Sequence, residues 1–488
     1  MLAALKSIFF KHYLLLLLLL LFAIHFGLIS LVNHQCFRTY ALDLGMFSNE
    51  MFQYSHFRLP ELTLGLKEPM PMLADHWAPI LILFSPLRFI FGSYTLLIVQ
   101  IAGLLFAAIF IYRIALFYQL NKYIATGSSL FFLVMWGITS ALAFDFHTNV
   151  LAACMFPALY FFLLKQDRSK AILIACIILL TKENMGFWLF FIFAAFWIRT
   201  MHLKLGHHRF YISMMALSGI VFYMLVFKVI PSYSQGQHHN LTQFFGHISP
   251  DMKEVVWHFI SNPLEIFKLF YLDELGNPCL PKTATLFMMF VSGLIFIFWR
   301  PWILIMLLPL IAQKFLSGYD QLWGIHGQYS IEFAPIASLA LVATLASAKS
   351  DIARYLLVAI SCHSAAYYNY KVAIPHNERT DVFSKNHYTP AISAGEVEKC
   401  RALLPENARL SCSSQLAPHF AFRDSIYHYP IEERAEYIML ITHSFASYPS
   451  TGENYMADIE KRANDSTVTV LYRGNDVMLF RKDRSKFP

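Results

Sequence analysis

Five short polar motifs interrupt a sequence that is otherwise mostly apolar, and each holds side chains suited to acid, base or ligand chemistry. The first contains Asp43 and Glu50, seven positions apart, a spacing that predicts two carboxylates on one face of a helix, two turns apart. The other motifs hold the remaining candidates, which are Asp75 and His76, Asp145 and His147, Lys182 and Glu183, and His326, Gln328 and Tyr329. Carboxylates and imidazoles act as general acids and bases, and carboxylate oxygens bind divalent cations.

Each motif also has a purely structural interpretation. Asp43 at a helix start could simply cap free backbone N–H groups, and Lys182 and Glu183 could pair with each other at a helix break. Ionisable groups near a membrane are costly to bury, however, so they are functional candidates by default. In the functional interpretation, Lys182 holds an anionic phosphate through a charge-assisted contact.

Composition indicates a polytopic membrane protein. Of the 488 residues, 57% are hydrophobic and only 14% are charged, whereas an ordinary soluble domain has about 25% charged residues. The net charge is +7, but no run of lysine and arginine with interleaved aromatic residues is present, so we expect no nucleic-acid partner. The sequence also lacks the glycine-rich phosphate loops of ATP-driven transporters.

The apolar segments predict about eleven transmembrane helices, beginning with an uncleaved helix whose amino end is cytoplasmic. Basic clusters at Lys165/Lys170 and Lys349/Arg354 mark the inner side. Residues 1–374 would then form the membrane domain, with outer loops at 33–78 and 231–282. All five polar motifs fall on the outer face in this topology. The helix around Glu50 is expected to lie at the membrane interface through Met46, Phe47, Met51 and Phe52.

Residues 375–488 have a different composition and predict a small extracytoplasmic α/β domain. We expect helices over 394–404 and 454–463, and strands over 409–413, 437–442 and 467–480, the last of these bent into a hairpin at Asn475 and Asp476. The favoured interpretation of this domain is a docking or lid role without chemistry. Cys400 and Cys412 would be able to pair in an oxidising compartment.

Several motifs occur in the order found in a known family. They are Tyr40-x-x-Asp43-Leu-Gly45, His76-Trp-Ala-Pro79, Phe144-Asp-Phe-His147, Lys182-Glu183-Asn-x-Gly186 and Leu404-Pro-Glu-Asn407. With these motifs the chain resembles the DUF2079 family of predicted bacterial membrane proteins, which is similar to the GT-C superfamily of polytopic glycosyltransferases. The resemblance implies a GT-C-like fold in the bacterial cytoplasmic membrane, with the carboxyl-terminal domain on the periplasmic or extracellular side.

The same resemblance implies site roles. Asp43 matches the catalytic acidic residue of the first outer loop, and Asp75 and His76 occupy the second acidic position, where they would also be catalytic. A divalent cation, magnesium or manganese, held by Asp43, Asp75 and His76 is a further hypothesis. This chain carries Asn184 and Ala78 where the family more often has Asp and Ser, which puts a metal role for the Lys-Glu motif in doubt.

The leading hypothesis is therefore a transferase that takes a sugar from a polyprenyl-phosphate donor to an unidentified glycan, lipid or protein acceptor. Glu50, Asp145, His147, Lys182, Glu183, His326, Gln328 and Tyr329 would bind the substrates. A polyprenyl or sugar transporter is the alternative, but it predicts polar groups at mid-depth and a repeat between halves, and the sequence shows neither. A non-enzymatic envelope assembly protein is the third hypothesis.

Overall fold

The computed structural model describes residues 2–202, 208–233, 244–249, 251–374 and 377–482. Part of the predicted outer loop 231–282, namely 234–243 and 250, lies outside these ranges, as does the predicted domain boundary at 375. The chain forms two compact units. The first comprises 1–26, 75–78 and 100–380, and the second comprises 27–74, 79–99 and 381–488.

Helices make up most of the described chain. In chain order, the α-helices are Leu2–Gln35, Met46–Ser55, Leu81–Phe84, Arg88–Phe91, Thr95–Phe117, Lys122–Leu133, Trp136–Phe144, Thr148–Lys165, Arg168–Leu179, Met185–His202, Arg209–Tyr233, Met252–Ser261, Pro263–Leu269, Leu280–Met289, Ile295–Phe298, Pro301–Ile311, Phe333–Ser347, Asp351–Tyr368, Ala394–Leu403, Ala417–Phe420 and Gly452–Ala463. A helix satisfies all of its backbone hydrogen bonds internally, so an apolar chain that enters a bilayer folds this way.

Five helical segments within the described residues are long and apolar enough to cross a membrane. They are His12–Gln35, Leu81–Phe117, Thr148–Lys165, Arg209–Val226 and Leu280–Phe298. A sixth arises if Lys122–Leu133 and Trp136–Phe144, bent by 45° at a short break, form one span. The predicted count of about eleven spans is not confirmed, because several apolar segments are shorter than a bilayer requires, such as Met185–Met201, Pro301–Leu316 and Phe333–Ser347.

Two glycines in the first unit let neighbouring helices approach closely. A Cβ atom on Gly186 would lie 2.5 Å from the backbone oxygen of Gly219, and one on Gly219 would lie 2.8 Å from the oxygen of Gly186. Any larger residue at either position would push the helices apart. Gly186 follows the predicted helix break at Lys182 and Glu183, and the structure confirms that break between Arg168–Leu179 and Met185–His202.

The second unit contains a five-stranded mixed sheet. Its strands are β3 (Leu410–Cys412), β4 (Ile426–His428), β5 (Tyr437–Ile441), β6 (Val468–Arg473) and β7 (Val477–Lys482), in the order β4-β3-β5-β7-β6. Strand β3 is parallel to both β4 and β5, whereas β7 is antiparallel to β5 and β6. A smaller antiparallel pair, β1 (Glu61–Leu62) and β2 (Met70–Pro71), precedes it in the chain.

The hairpin predicted at Asn475 and Asp476 is confirmed between β6 and β7. The Glu396 carboxylate accepts hydrogen bonds from the backbone N–H groups of Asn475, Asp476 and Val477 at 3.1, 2.9 and 3.0 Å, which fixes the turn. The predicted helices and the other strands are also present, but β4 was not predicted. Cys400 and Cys412 are buried free thiols, so the disulfide considered from the sequence is absent from the structure.

The predicted helix around Asp43 and Glu50 needs correction. The α-helix begins at Met46, and Asp43 lies before it in a short π-helical turn, Ala41–Gly45. Asp43 and Glu50 therefore do not share one helical face. Met46, Phe47 and Met51 are buried within the second unit, which makes them unavailable to a membrane interface. Their apolar side chains are used in packing instead.

Candidate functional site

The imidazole of His76 lies between two carboxylates in the first unit. Its Nε2 atom is 3.6 Å from Asp75 Oδ2, and its Nδ1 atom is 3.8 Å from Glu183 Oε1. Trp77 adds two hydrogen bonds, because its backbone N–H donates to Glu183 Oε2 at 3.3 Å and its indole N–H donates to the Leu179 oxygen at 2.9 Å. These contacts join the 75–78 segment to the helix break at Glu183.

The charges in this cluster shift two pKa values in opposite directions. Burial alone would lower the pKa of His76, but the Asp75 and Glu183 carboxylates outweigh it and raise the pKa to about 9. Burial alone would raise the pKa of Glu183, but the His76 side chain and the Lys182 charge lower it to about 2. At neutral pH the site therefore contains the imidazolium of His76 beside the ionised carboxylate of Glu183.

Lys182 contacts a second imidazole. Its Nζ atom lies 3.4 Å from His147 Nε2, and the His147 ring centroid is 6.4 Å from that of His76. Burial, followed by the charges of Lys182 and His76, holds the pKa of His147 well below its usual value. His147 is therefore neutral. Its Nδ1 atom also lies 3.4 Å from the Asn149 backbone N–H, so the tautomer of the ring decides which of the two nitrogens accepts a hydrogen bond.

Gln100 holds the turn that presents His147. Its side-chain amide donates to the Asp145 backbone oxygen at 2.7 Å, and its Oε1 atom accepts from the His147 backbone N–H at 3.2 Å. The Asp145 carboxylate accepts from the backbone N–H of Phe146. Asp145 therefore shapes the turn. Gln100 was not predicted, and its one signal in the sequence is an amide inside an apolar helix.

Asn149, Gln328 and Glu332 extend the polar cluster beyond Lys182 and His147. The Asn149 amide donates to Glu332 Oε1 at 3.0 Å and to the Gln328 backbone oxygen at 3.2 Å. Burial raises the pKa of Glu332, although the Asn149 hydrogen bond and the charges of Lys182 and Lys314 oppose this effect. The sequence analysis missed Asn149 and Glu332. In the sequence, each of the two is an isolated polar residue at the start of an apolar helix.

Tyr329, the third polar residue of the His326 motif, also lies in this region. The Tyr329 ring centroid is 6.4 Å from that of His147, and Gln328 is buried. His326, in contrast, is exposed. The structure thus brings together Asp75, His76, His147, Lys182 and Glu183, with Gln328 and Tyr329 beside them.

Asp43 and Glu50 belong to the second unit, so their predicted place in a shared site stays a prediction. Asp43 has φ 71° and ψ −96°, a strained γ-turn-like geometry that is rare outside glycine. The turn is anchored within its unit, since the Ala41 backbone N–H donates to Ser414 Oγ at 3.2 Å. Glu50 is buried. The pKa of Tyr54 is raised mainly by the burial of this tyrosine, and next by the charge of Glu50.

The predicted metal role can be compared with the geometry around His76. A histidine binds a metal through a neutral ring nitrogen, whereas the ring of His76 is protonated between Asp75 and Glu183. Among the described residues, no group of three or more His, Cys, Asp or Glu side chains is arranged to hold a metal ion. The divalent-cation hypothesis for Asp43, Asp75 and His76 stays a prediction.

Known structures share the fold of this chain. The structure of ArnT from Cupriavidus metallidurans bound to undecaprenyl phosphate matches with a TM-score of 0.56 at 10% identity, covering 97% of this chain and 98% of that chain. The apo form of the same ArnT has a TM-score of 0.49 at 11% identity, with 99% of each chain covered. At this identity the match to the lipid-bound structure shows the fold alone.

The family of the chain is identified independently of that fold. Among curated protein sequences, none matches this chain significantly. The family model described as a predicted membrane protein, DUF2079, matches residues 33–479, a range that includes every candidate site residue. The resemblance inferred from the sequence motifs is confirmed, and the chain belongs to the DUF2079 family of predicted membrane proteins.

Proposed function

We propose that this protein is a membrane glycosyltransferase that uses a polyprenyl-phosphate sugar as donor. The observation that carries the proposal is the pairing of Lys182 with neutral His147, beside a His76 imidazolium already engaged by two carboxylates. The ArnT fold, found in a structure bound to undecaprenyl phosphate, supports a lipid phosphate as the ligand class. A GT-C-like transferase acting at the membrane agrees with both.

Lys182 is the proposed contact for the donor phosphate. In the described part of the chain its ammonium contacts an uncharged ring, so an anionic oxygen can replace that ring without breaking an ion pair. A charge-assisted hydrogen bond to phosphate contributes about 1.5–3 kcal/mol. The pairing of Glu183 with His76 reduces the competition of this carboxylate for Lys182.

His147 is the proposed proton donor to the departing phosphate. A bound phosphate adds negative charge beside His147, which raises the pKa of this ring. When the bond between the anomeric carbon and the phosphate oxygen breaks, a protonated His147 can stabilise that oxygen. This role predicts that phosphate binding weakens as pH rises.

Asp43 is the proposed general base for the acceptor hydroxyl. This role rests on the family motif and on the strained backbone of the residue, a feature that clusters at functional sites. Asp43 would take the hydroxyl proton as the acceptor oxygen attacks the anomeric carbon. The sugar and the acceptor are left open.

Undecaprenyl phosphate itself is the probe for the first experiment. The full-length protein in lipid nanodiscs is titrated with this lipid, and bound lipid is counted by native mass spectrometry. Lys182→Met should weaken binding about 10- to 100-fold. Lys170→Met is the matched control, because Lys170 is an exposed lysine paired with Asp167 at 2.6 Å. Equal affinities of wild type and Lys182→Met would remove Lys182 from the phosphate site.

A further inference from the structure

A continuous set of large apolar side chains is exposed on two consecutive short helices of the first unit. The helices are Met252–Ser261 and Pro263–Leu269. The exposed residues are Val256, Trp257, Ile260, Leu264 and Phe267, of which Leu264 is 75% exposed and Trp257 and Phe267 are each 68% exposed. Their spacing of one, three or four positions places them on one face of each helix. A soluble surface would rarely expose so many neighbouring large apolar groups.

Part of the remaining surface of these helices is packed against the protein. Val255 and Leu269 are buried, and the ring of Phe270 stacks on that of Phe315 at a centroid distance of 4.8 Å. The break between the helices is bridged by His258 Nε2 and Glu265 Oε2, which lie 2.7 Å apart. The helix pair is therefore held in a fixed orientation, with its apolar face uncovered.

Lys282 fixes the position of these two short helices along the axes of the membrane-crossing helices. Its Nζ atom donates to the backbone oxygens of Leu272 and Phe315 at 3.0 and 2.9 Å. Lys282 lies in the first turn of the candidate span Leu280–Phe298, and Phe315 lies at the end of the apolar segment Pro301–Leu316. The Pro263–Leu269 helix, which ends three residues before Leu272, is thus tied to the ends of two apolar membrane helices.

We propose that the exposed face of Val256, Trp257, Ile260, Leu264 and Phe267 lies in the interfacial layer of the bilayer, parallel to the membrane. The helices have 10 and 7 residues, or about 15 and 10 Å at 1.5 Å per residue, which is too short to cross a hydrocarbon core of about 30 Å. Tryptophan at such a level is typical of an interfacial anchor. Leu280, the first residue of the next span, is also an exposed apolar residue.

The partner is therefore a lipid surface. A second copy of the chain is the competing occupant of the same face. The lipid is favoured because the carboxyl end of the helix pair is fixed at the ends of two apolar helices, so the face meets the bilayer without any further protein. This anchor would hold the loop between two spans at constant depth. It does not depend on the proposed transferase activity.

Spin labels on the full-length protein in nanodiscs test the proposal. Cys176 is exposed and Cys362 is partly exposed, so both are replaced by serine before single cysteines are introduced at positions 257, 260, 264 and 267. Controls carry the label at Lys399 and Glu453, exposed polar residues of the helices Ala394–Leu403 and Gly452–Ala463. We expect oxygen to collide with the four test labels severalfold more often than a water-soluble nickel complex does. At the control positions, the nickel complex should collide with the label more often than oxygen does.

Two outcomes would overturn the proposal. High nickel accessibility at the test positions would show that the face contacts water. Dipolar broadening between labels on separate chains would show that a second copy covers it. Brominated lipids, which quench tryptophan fluorescence, provide a measurement without cysteine changes. If Trp257 contacts acyl chains, these lipids should quench the fluorescence of Trp257→Phe less than that of the wild type. Equal quenching in the two proteins would contradict lipid contact.

Discussion

The backbone N–H of Ala41 donates a 3.2 Å hydrogen bond to the hydroxyl of Ser414, 373 positions further along the chain. The next helix is tied to the same region, because the Asn49 amide donates to the backbone oxygens of Ala421 and Arg423, each at 2.8 Å. Within the second unit, residues of the carboxyl-terminal sheet region thus hold the turn that carries Asp43. The sheet region positions a candidate catalytic loop.

Asn49→Ala should loosen the Asp43 turn. The substitution removes both hydrogen bonds and leaves two carbonyl oxygens without their amide partner, at a cost of about 1–3 kcal/mol. Amide hydrogen exchange over Met46–Ser55 should therefore become roughly tenfold faster or more. Asn464→Ala is the control, since the Asn464 amide bonds only locally to Glu460 O at 3.0 Å on an exposed helix end. Unchanged exchange in Asn49→Ala would show that other contacts hold the turn.

Asp43→Asn should abolish transfer while preserving the fold. Asparagine tolerates a positive φ about as well as aspartate does, so the 71° geometry can be kept. Loss of a general base predicts a fall of at least about 10²-fold in turnover. The measurement is transfer from a polyprenyl-phosphate sugar by purified protein, with thermal unfolding checked in parallel. Wild-type turnover by a folded Asp43→Asn protein would exclude this residue as the base.

Stability should depend on pH through His76 and Glu183. The raised pKa of His76, about 9, stabilises the fold fully below its unfolded value near 6.5, and this contribution is lost as pH rises through about 9. The lowered pKa of Glu183, about 2, contributes above its unfolded value of 4.5 and is lost as pH falls through about 2. Both contributions to stability are fully present between the two unfolded pKa values, 4.5 for Glu183 and 6.5 for His76. The His76 contribution is about 3 kcal/mol.

Thermal unfolding in nanodiscs at pH 6 and pH 9.5 measures the His76 contribution. The wild type should lose stability between these values, and His76→Gln should lose less because it has no imidazolium to deprotonate. His326→Gln, at an exposed histidine, should retain the wild-type loss. Identical pH dependence in wild type and His76→Gln would contradict the charge assignment.

Membrane topology is testable with fusions. The alternation of basic clusters with apolar segments predicts a cytoplasmic amino end and an external carboxyl-terminal region. Alkaline phosphatase fused after Pro488 should be active, and a reporter that matures only in the cytoplasm should be inactive there. The reverse pattern would place the carboxyl-terminal region inside and reject external sugar transfer.

Local sequence features were sufficient for several elements of the site and fold. The helix break at Lys182 and Glu183 is predicted from the sequence because these charged residues interrupt an apolar segment. The hairpin at Asn475 and Asp476 was visible because turn residues separate two strand-like runs. The grouping of His147 with Lys182 followed from the predicted topology, which placed both motifs on the outer face, and the structure shows a contact between them.

The sequence by itself determined the membrane class, the family motifs and these local breaks, because composition and periodicity act over a few neighbouring residues. Tertiary structure decided that His76 lies between Asp75 and Glu183, and that Asn149 meets Glu332. It also decided which apolar helix face is covered. Met46, Phe47 and Met51 were expected at the membrane but are buried, whereas Trp257 and Phe267 are exposed. Amphipathic patterns show that a face must be covered, but only the packing of distant segments selects what covers it.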